Sequence, residues 1–134
     1  MSITTYTDFV QALEALVVTG VTRRLSAPPD ALRTADLPTQ WAQIASGDEA
    51  PITFQTMGGW PSLRAEVIIA YQPIAQGTAA ESHTGALGIM DNLVTALRGF
   101  TASRGPVLWS VRVAAIAVAG VEYWAVLAEV TGRG

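Results

Sequence analysis

The sequence lacks residue types on which several common chemistries depend. It has no cysteine and only one histidine among its 134 residues. Without cysteine, the chain can form no disulfide, no thiolate nucleophile and no cysteine-ligated metal site. A single histidine also excludes zinc sites that take two or three histidines from one subunit. These absences remove most disulfide-stabilised, thiol-dependent and zinc-dependent protein classes.

Charge is scarce as well. Charged residues make up 14% of the chain and hydrophobic residues 50%, whereas typical globular proteins have about 25% charged residues. Disordered chains show the opposite balance, so the composition predicts a packed domain. The formal net charge of −3 argues against a general nucleic-acid-binding protein, which normally has a basic surplus. All eight basic residues are arginine; biased genome composition explains this most simply, and the use of arginine in bidentate ion pairs at interfaces is the functional alternative.

Long apolar runs are also missing. Residues 113–121 form the longest apolar stretch without a charge, and this stretch is far shorter than the ~20 residues that span a bilayer. The N-terminal residues lack the basic region of a signal peptide and include acidic residues early. We therefore expect one soluble domain over residues 1–134, made in a cytoplasm and not attached to a membrane.

Two segments have the apolar spacing of amphipathic helices. Residues 6–18 predict a first helix, after which Gly20 suits the left-handed conformation that follows a last turn. Residues 78–99 predict a second helix that opens with a capping box. Gly85 and Gly88 lie inside it, and each costs about 1 kcal/mol of helix propensity relative to alanine. The positions predicted to be buried on the second helix are Leu87, Met90, Leu93, Val94 and Leu97.

The remaining regular segments alternate with a period of two, which is typical of strands. Paired runs around a short turn that contains glycine predict hairpins, since glycine can take a positive φ. The predicted hairpins join residues 52–56 to 63–71 through Gly58-Gly59, and 107–118 to 121–131 through Ala119-Gly120. Shorter strands are predicted at residues 21–25 and 41–45. The fold class is therefore α+β, with a mixed or antiparallel sheet of about four to five strands and two helices packed on one face.

A proline-bearing segment separates the first helix from the sheet. Residues 27–39 have no clear period, and they carry Leu32 and Leu37 among polar residues. A long segment of this kind in a compact domain is usually functional or disordered. We interpret it as an interaction loop whose deletion spares the fold and impairs assembly.

Candidate catalytic groups are few. His83, in the first turn of the second helix, is the only candidate base of the kind that activates a nucleophile, and its sequence neighbours point to other helix faces. Asp48 and Glu49 form the only adjacent acidic pair and lie in a predicted turn. The glycine-rich residues 57–60 precede a strand, whereas phosphate-binding loops open a helix. We predict no catalytic residue, no metal site and no bound cofactor.

The second helix offers a candidate subunit contact. Glu81, Gly85, Gly88 and Asn92 would form a flat face of small residues against which another backbone could pack. The alternative is a surface helix that tolerates weak helix formers. Trp124 is added to the candidate contact because tryptophan is enriched where protein surfaces meet. If the face is a contact, replacing both glycines by alanine gives more stable monomers that assemble poorly.

The order of these elements resembles that of the tail terminator proteins of long, non-contractile-tailed bacteriophages, or of closely related neck and tail-completion proteins. The resemblance covers nearly the whole chain and rests on layout, because no motif in it is specific. The segments that carry it are FVQALEALV, TADLPTQWAQI, LRAEVIIAYQP, LGIMDNLVTALRG and VLWSVRVAAIAVAGVEYWAVLAEV.

The resemblance implies a structural virion protein with no catalytic residues. Members of the family form a six-fold ring on the head-proximal end of the tail tube, which ends tube polymerisation and gives the head–tail connector a surface to join. The implied partners are further copies of the chain, the tube protein and the connector protein. Genomic DNA passes through the lumen of the ring without specific binding. The protein is expected in the phage tail or neck, after assembly in the host cytoplasm.

A second class of function is compatible with the same elements. A small α+β ligand-binding or enzymatic domain could dimerise through its sheet. Such a domain needs a pocket with convergent polar groups, for which the main candidates are Tyr71, His83 and Arg112. A scaffold subunit of some other assembly is a third possibility. Mass in solution distinguishes a dimer from a ring.

Overall fold

The chain forms two helices and eight strands among the residues that the structure describes. The computed structural model describes residues 6–44, 52–54, 61–74, 79–102, 105–106 and 108–133. The helices are α1 (Tyr6–Glu14) and α2 (Ala79–Arg98), with a short 3-10 turn at Thr34–Asp36. The strands are β1 (Arg23–Arg24), β2 (Thr39–Ile44), β3 (Ile52–Phe54), β4 (Pro61–Pro73), β5 (Thr101–Ala102), β6 (Gly105–Pro106), β7 (Leu108–Val118) and β8 (Val121–Arg133).

Six of these strands form the main sheet. Five of them lie in the order β1-β2-β4-β8-β7, and β3 pairs with β4. The β1–β2 pair is parallel and the other pairs are antiparallel, so the sheet is mixed. The register places β3 beyond β2 along the same edge of β4, since Ile44 lies opposite Ala65 and Ile52 lies opposite Leu63. This mixed sheet with two helices confirms the predicted α+β class.

Both helices pack on one face of the sheet, which we call the helix face. Phe9 and Leu13 of α1 are fully buried there, because they lie four residues apart on one stripe of the helix. The buried stripe of α2 is Ala86, Ile89, Leu93 and Leu97. The sheet residues beneath the helices are Ala42, Ala65, Val67, Ile69, Val126, Ala128 and Val130.

The prediction of the α2 stripe was wrong in part. Leu87 is exposed and Met90 and Val94 are only half-buried. Leu93 and Leu97 are buried as predicted. The helix is rotated so that small residues, including Ala86, can approach the sheet closely.

The opposite face of the sheet, which we call the loop face, carries a second apolar cluster. Its buried members are Trp41, Ile68, Ala70, Tyr123, Ala125 and Leu127. No helix covers this cluster among the described residues. Leu32 and Leu37 of the proline-bearing segment pack against it instead, together with Leu25, which precedes the segment. Strand β8 can therefore have two apolar faces, because the helices cover one face and the proline-bearing segment helps to cover the other.

The first helix ends earlier than its periodicity predicts. α1 stops at Glu14, and Val17 is 73% exposed. Side chains from three other elements bind the carbonyl groups that follow the helix, so these carbonyls need no further helical turn. The bonds run from Arg24 Nη1 to Ala15 O at 3.0 Å, from Gln40 Nε2 to Leu16 O at 3.0 Å, and from Asn92 Nδ2 to Thr19 O at 2.8 Å.

The predicted hairpin pairings are present. β7 and β8 pair around Ala119 and Gly120, whose φ angles of 53° and 78° are both positive, as a two-residue turn with the strand twist requires. β3 and β4 pair antiparallel as predicted. The Gly58-Gly59 turn between them lies outside the described residues.

Candidate functional site

The structure does not bring the candidate catalytic groups together. Tyr71 packs against the apolar cluster of the helix face. Arg112 lies opposite Leu127 in the β7–β8 ladder, so its side chain is on the loop face. His83 is exposed on α2. Neither the adjacent acidic pair nor the glycine-rich residues 57–60 lie within the described part of the chain.

The described residues also hold no cluster of metal-ligating side chains, since no three of their His, Asp or Glu residues are grouped. None of their helices is long and apolar enough to cross a membrane.

Gly85, one of the predicted contact residues, has a partner within the chain. A Cβ atom placed on Gly85 would lie 1.9 Å from Tyr71 Oη and 2.3 Å from Tyr71 Cζ. The register of β4 against β8 shifts between Ala70 and Gln72, so Tyr71 is the extra residue of a bulge. The phenol ring of Tyr71 therefore crosses α2 at Gly85, and this contact explains why the helix has no side chain there.

The other predicted contact residues lie in different surroundings. Gly88 is open, with nothing within 4 Å of a Cβ placed on it. Asn92 binds the carbonyl of Thr19. Trp124 is half-buried and pairs with Gln72 and Ala115 in the sheet. Glu81 belongs to the first turn of α2, and its side chain is outside the description.

The predicted α2 residues therefore do not form one open face, because Gly85 and Asn92 contact other parts of the same chain. A subunit contact that uses Gly88 or Trp124 stays a prediction.

Strand β7 presents an open edge. It lies at one end of the main sheet, with β8 on one side and no described strand on the other. Its eleven residues, Leu108–Val118, contain one charge and no proline. Monomeric proteins usually protect an edge strand with charges, prolines, bulges or a covering element. β7 has none of these over its described length except the single arginine, so it is suited to pairing with another strand.

The two halves of β7 are exposed on different faces. Leu108, Ser110 and Arg112 are exposed on the loop face, and Leu108 is 78% exposed. Ala115 and Ala117 are exposed on the helix face. Each end of the strand thus has one face that is available for a neighbouring element.

A second open edge lies in a groove beside β2. The groove has a volume of about 660 Å³, and Ala42 and Gln43 form its floor. Four residues of α1 form one wall, and the start of the proline-bearing segment forms the other together with the residue before it. The wall residues are Thr7, Val10, Gln11 and Glu14 on α1, and Ser26, Ala27 and Pro28 opposite them.

The only charged residue that lines the groove, among the described residues, is Glu14. Burial raises the pKa of the Glu14 carboxyl above its usual value of 4.5. The native state therefore binds the proton more tightly than the unfolded state does. As the pH rises from the pKa of the unfolded state through the higher pKa of the native state, the stability of the protein falls.

We expect Glu14→Gln to raise the melting temperature slightly at pH 7, because the glutamine removes the cost of desolvating a carboxylate. The gain should disappear at a pH well below 4.5, where the carboxyl is protonated in both states. Asp91→Asn, at an exposed position of α2, is the control. Thermal melting at both pH values checks the prediction, and an equal gain at both would contradict it.

A cleft of about 460 Å³ separates the proline-bearing segment from the loop face. Gln43 links two of its polar groups, since the indole Nε1 of Trp41 donates to Gln43 Oε1 at 3.1 Å and Gln43 Nε2 donates to Glu66 Oε1 at 2.9 Å. The described residues that line this cleft include Asp30 and Glu66 but no Ser, Thr, Tyr or His. The cleft therefore has acceptors but no group that could act as a nucleophile of the serine or histidine kind.

Comparison with models of known protein families and with curated proteins finds no match to this chain.

Proposed function

We propose that the chain is a structural subunit that assembles into a ring at the head-proximal end of a phage tail tube. There the ring ends tube polymerisation and provides the surface to which the head connector binds. The proposal joins the layout resemblance, which nearly the whole chain carries, to the open edge of β7. That edge is the observation that supports self-association most strongly.

The distribution of polar groups supports a structural protein over an enzyme. The candidate pocket residues Tyr71, His83 and Arg112 lie on different faces, as the two sheet faces and the exposed surface of α2 separate them. Groups that bind or act on one substrate must converge on it, and these three do not.

We expect His83→Ala to leave both folding and assembly unchanged. His83 is exposed, so its side chain contributes little packing. The thermal melt and the assembly state of the variant are compared with those of the unaltered chain. A large loss of assembly with an unchanged melt would contradict this prediction and place His83 in a subunit contact.

The open edge also permits a different assembly. If β7 pairs with β7 of a second copy across a two-fold axis, the product is a closed dimer, as expected of a small ligand-binding or enzymatic domain that dimerises through its sheet. If β7 pairs with a different surface of the next copy, the contact is heterologous and repeats around a ring.

Light scattering of the purified chain, alone and with isolated tail tubes, tests the proposal. Rings in solution, or monomers that form rings only on tubes, are the expected results. A stable dimer that does not associate with tubes would overturn the proposal and favour the ligand-binding domain.

A further inference from the structure

The hydrogen bonds between β1 and β2 show which way the backbone of β2 points. The amide of Leu25 donates to Gln40 O at 2.7 Å, and the amide of Thr22 donates to Pro38 O at 2.8 Å. Even-numbered residues of β2 therefore direct their backbone groups toward β1. Because backbone direction alternates along a strand, the N–H and C=O of Ala42 point to the same side.

β1 does not extend far enough to meet Ala42. The parallel ladder ends at Leu25, and the chain then leaves the sheet through Ser26 toward Pro28 and Pro29, which have no amide hydrogen to donate. Within the described residues, no backbone group bonds to Ala42 on this side. Ala42 is only 1% exposed, so bulk water has little access to it.

A buried backbone N–H and C=O without partners cost free energy, and native proteins nearly always satisfy them. These groups face the base of the groove between α1 and the proline-bearing segment, which Ala42 lines; because Ala42 is only 1% exposed, the two walls must part slightly for another backbone to reach them. The groove is open at the surface and continues the line of β1. Its shape and its backbone chemistry suit an extended chain that adds to β2 as a further strand.

We infer that this groove receives β7 of a second copy, so that β2 of one subunit and β7 of the next form a continuous sheet. β7 has the complementary chemistry, since its outer edge is unpaired along eleven residues without a proline. The side chains of β7 on the helix face are also small enough to fit beneath a neighbouring helix. Ala115 and Ala117 are small and exposed there, so α1 of the neighbouring copy can lie over them.

This contact joins two different surfaces and is therefore heterologous, which is the kind of interface that closes into a ring. The inference rests on the proposed function, because it names the surfaces through which the proposed ring would form. Rings could also form through other surfaces, so the contact between β2 and β7 can be tested separately from ring formation.

The first test narrows the groove without altering the sheet. Ala27→Arg places a long charged side chain at the groove wall, and Ala31→Arg is the matched control, because both alanines are exposed on the same segment and only Ala27 lines the groove. The ring yield of the Ala27 variant should fall at least about tenfold relative to the control, since overpacking a contact and desolvating a charge both weaken it. Equal melting temperatures would show that both variants fold.

The second test detects the neighbouring strand directly. Because the natural chain has no cysteine, Ala27→Cys can be mixed with single cysteine variants at Ser110, Arg112, Ala115 or Ala117 under mild oxidation. At least one mixture should give cross-linked pairs that contain one subunit of each variant.

Rings that assemble equally well from both arginine variants, with no mixed cross-link at any of the four positions, would overturn the inference and leave the proposed function standing. If the unaltered chain forms no ring, with or without tail tubes, the proposed function fails. If it nevertheless gives mixed cross-links, the β2–β7 contact stands without the ring.

Discussion

Gly85→Ala should destabilise the protein by about 1–3 kcal/mol, the usual cost of forcing extra volume into a packed contact. Helix propensity acts in the opposite direction by about 1 kcal/mol. The steric cost should exceed this gain because the new methyl group would lie 1.9 Å from Tyr71 Oη and 2.8 Å from Tyr71 Cε2. Much of the phenol ring must therefore move away from the apolar cluster against which it packs.

Gly88→Ala is the matched control on the same helix. Nothing lies within 4 Å of the added Cβ at this position, so the variant should gain up to about 1 kcal/mol from helix propensity. Chemical denaturation of the two variants measures the difference between the sites. A gain in stability at both positions would contradict the contact between Tyr71 and Gly85.

A double-mutant cycle assigns the cost to the Tyr71 ring. In a Tyr71→Ala background, Gly85→Ala should become stabilising, since the atoms that it would meet are gone. If the cost of Gly85→Ala is the same in both backgrounds, the Tyr71 side chain is not its cause. The structure thus corrects the expectation from sequence that alanine at both glycines gives a more stable monomer.

Leu32→Ser combined with Leu37→Ser should lower the free energy of unfolding by about 2–4 kcal/mol. Both leucines are partly buried against the cluster on the loop face. The double substitution keeps the length of the segment and removes only its apolar cover, so Trp41 and Ile68 lose the side chains that shield them from water.

Ala27→Ser with Ala35→Ser is the control, because both positions are exposed in the same part of the chain. Urea denaturation should show a lower midpoint for the leucine variant alone. An unchanged midpoint would mean that the segment adds no stability to the fold, as expected of the interaction loop predicted from the sequence. The observed packing of Leu32 and Leu37 predicts instead that deletion of the segment harms the fold itself.

Local sequence patterns were enough to predict the long strands and both hairpins, but not the short β5–β6 pair or the start of β2 at Thr39. Alternation with a period of two indicates a strand whichever residues it later contacts, and Gly120 adopts the positive φ of the turn without steric cost, although Ala119 beside it does not. The α+β class follows from the order of these elements. Such features depend on neighbours in sequence, and one sequence contains that information.

The contacts that matter for the candidate site depend on residues far apart in sequence. The meeting of Tyr71 with Gly85 requires a bulge in β4 and the rotation of α2, and neither has a signal in the sequence. The early end of α1 depends on donors from β1, β2 and α2. The periodicity of residues 15–18 could not reveal these donors.

The open edges of β7 and β2 could not be predicted either, because a strand's own sequence does not show which strands lie beside it. β8 carries three charged residues and β7 only one, yet β8 lies inside the sheet and β7 lies at its edge. The groove at Ala42 could not be predicted, as it depends on where β1 ends.

Electron microscopy of growing tail tubes tests directly whether the chain forms a ring that ends tube polymerisation. Tube protein is polymerised with and without the purified chain, and tube lengths and tube ends are recorded. We expect that added protein stops elongation and that a ring of its subunits caps one end of each tube. Tubes that continue to elongate, with no added density at either end, would contradict this expectation.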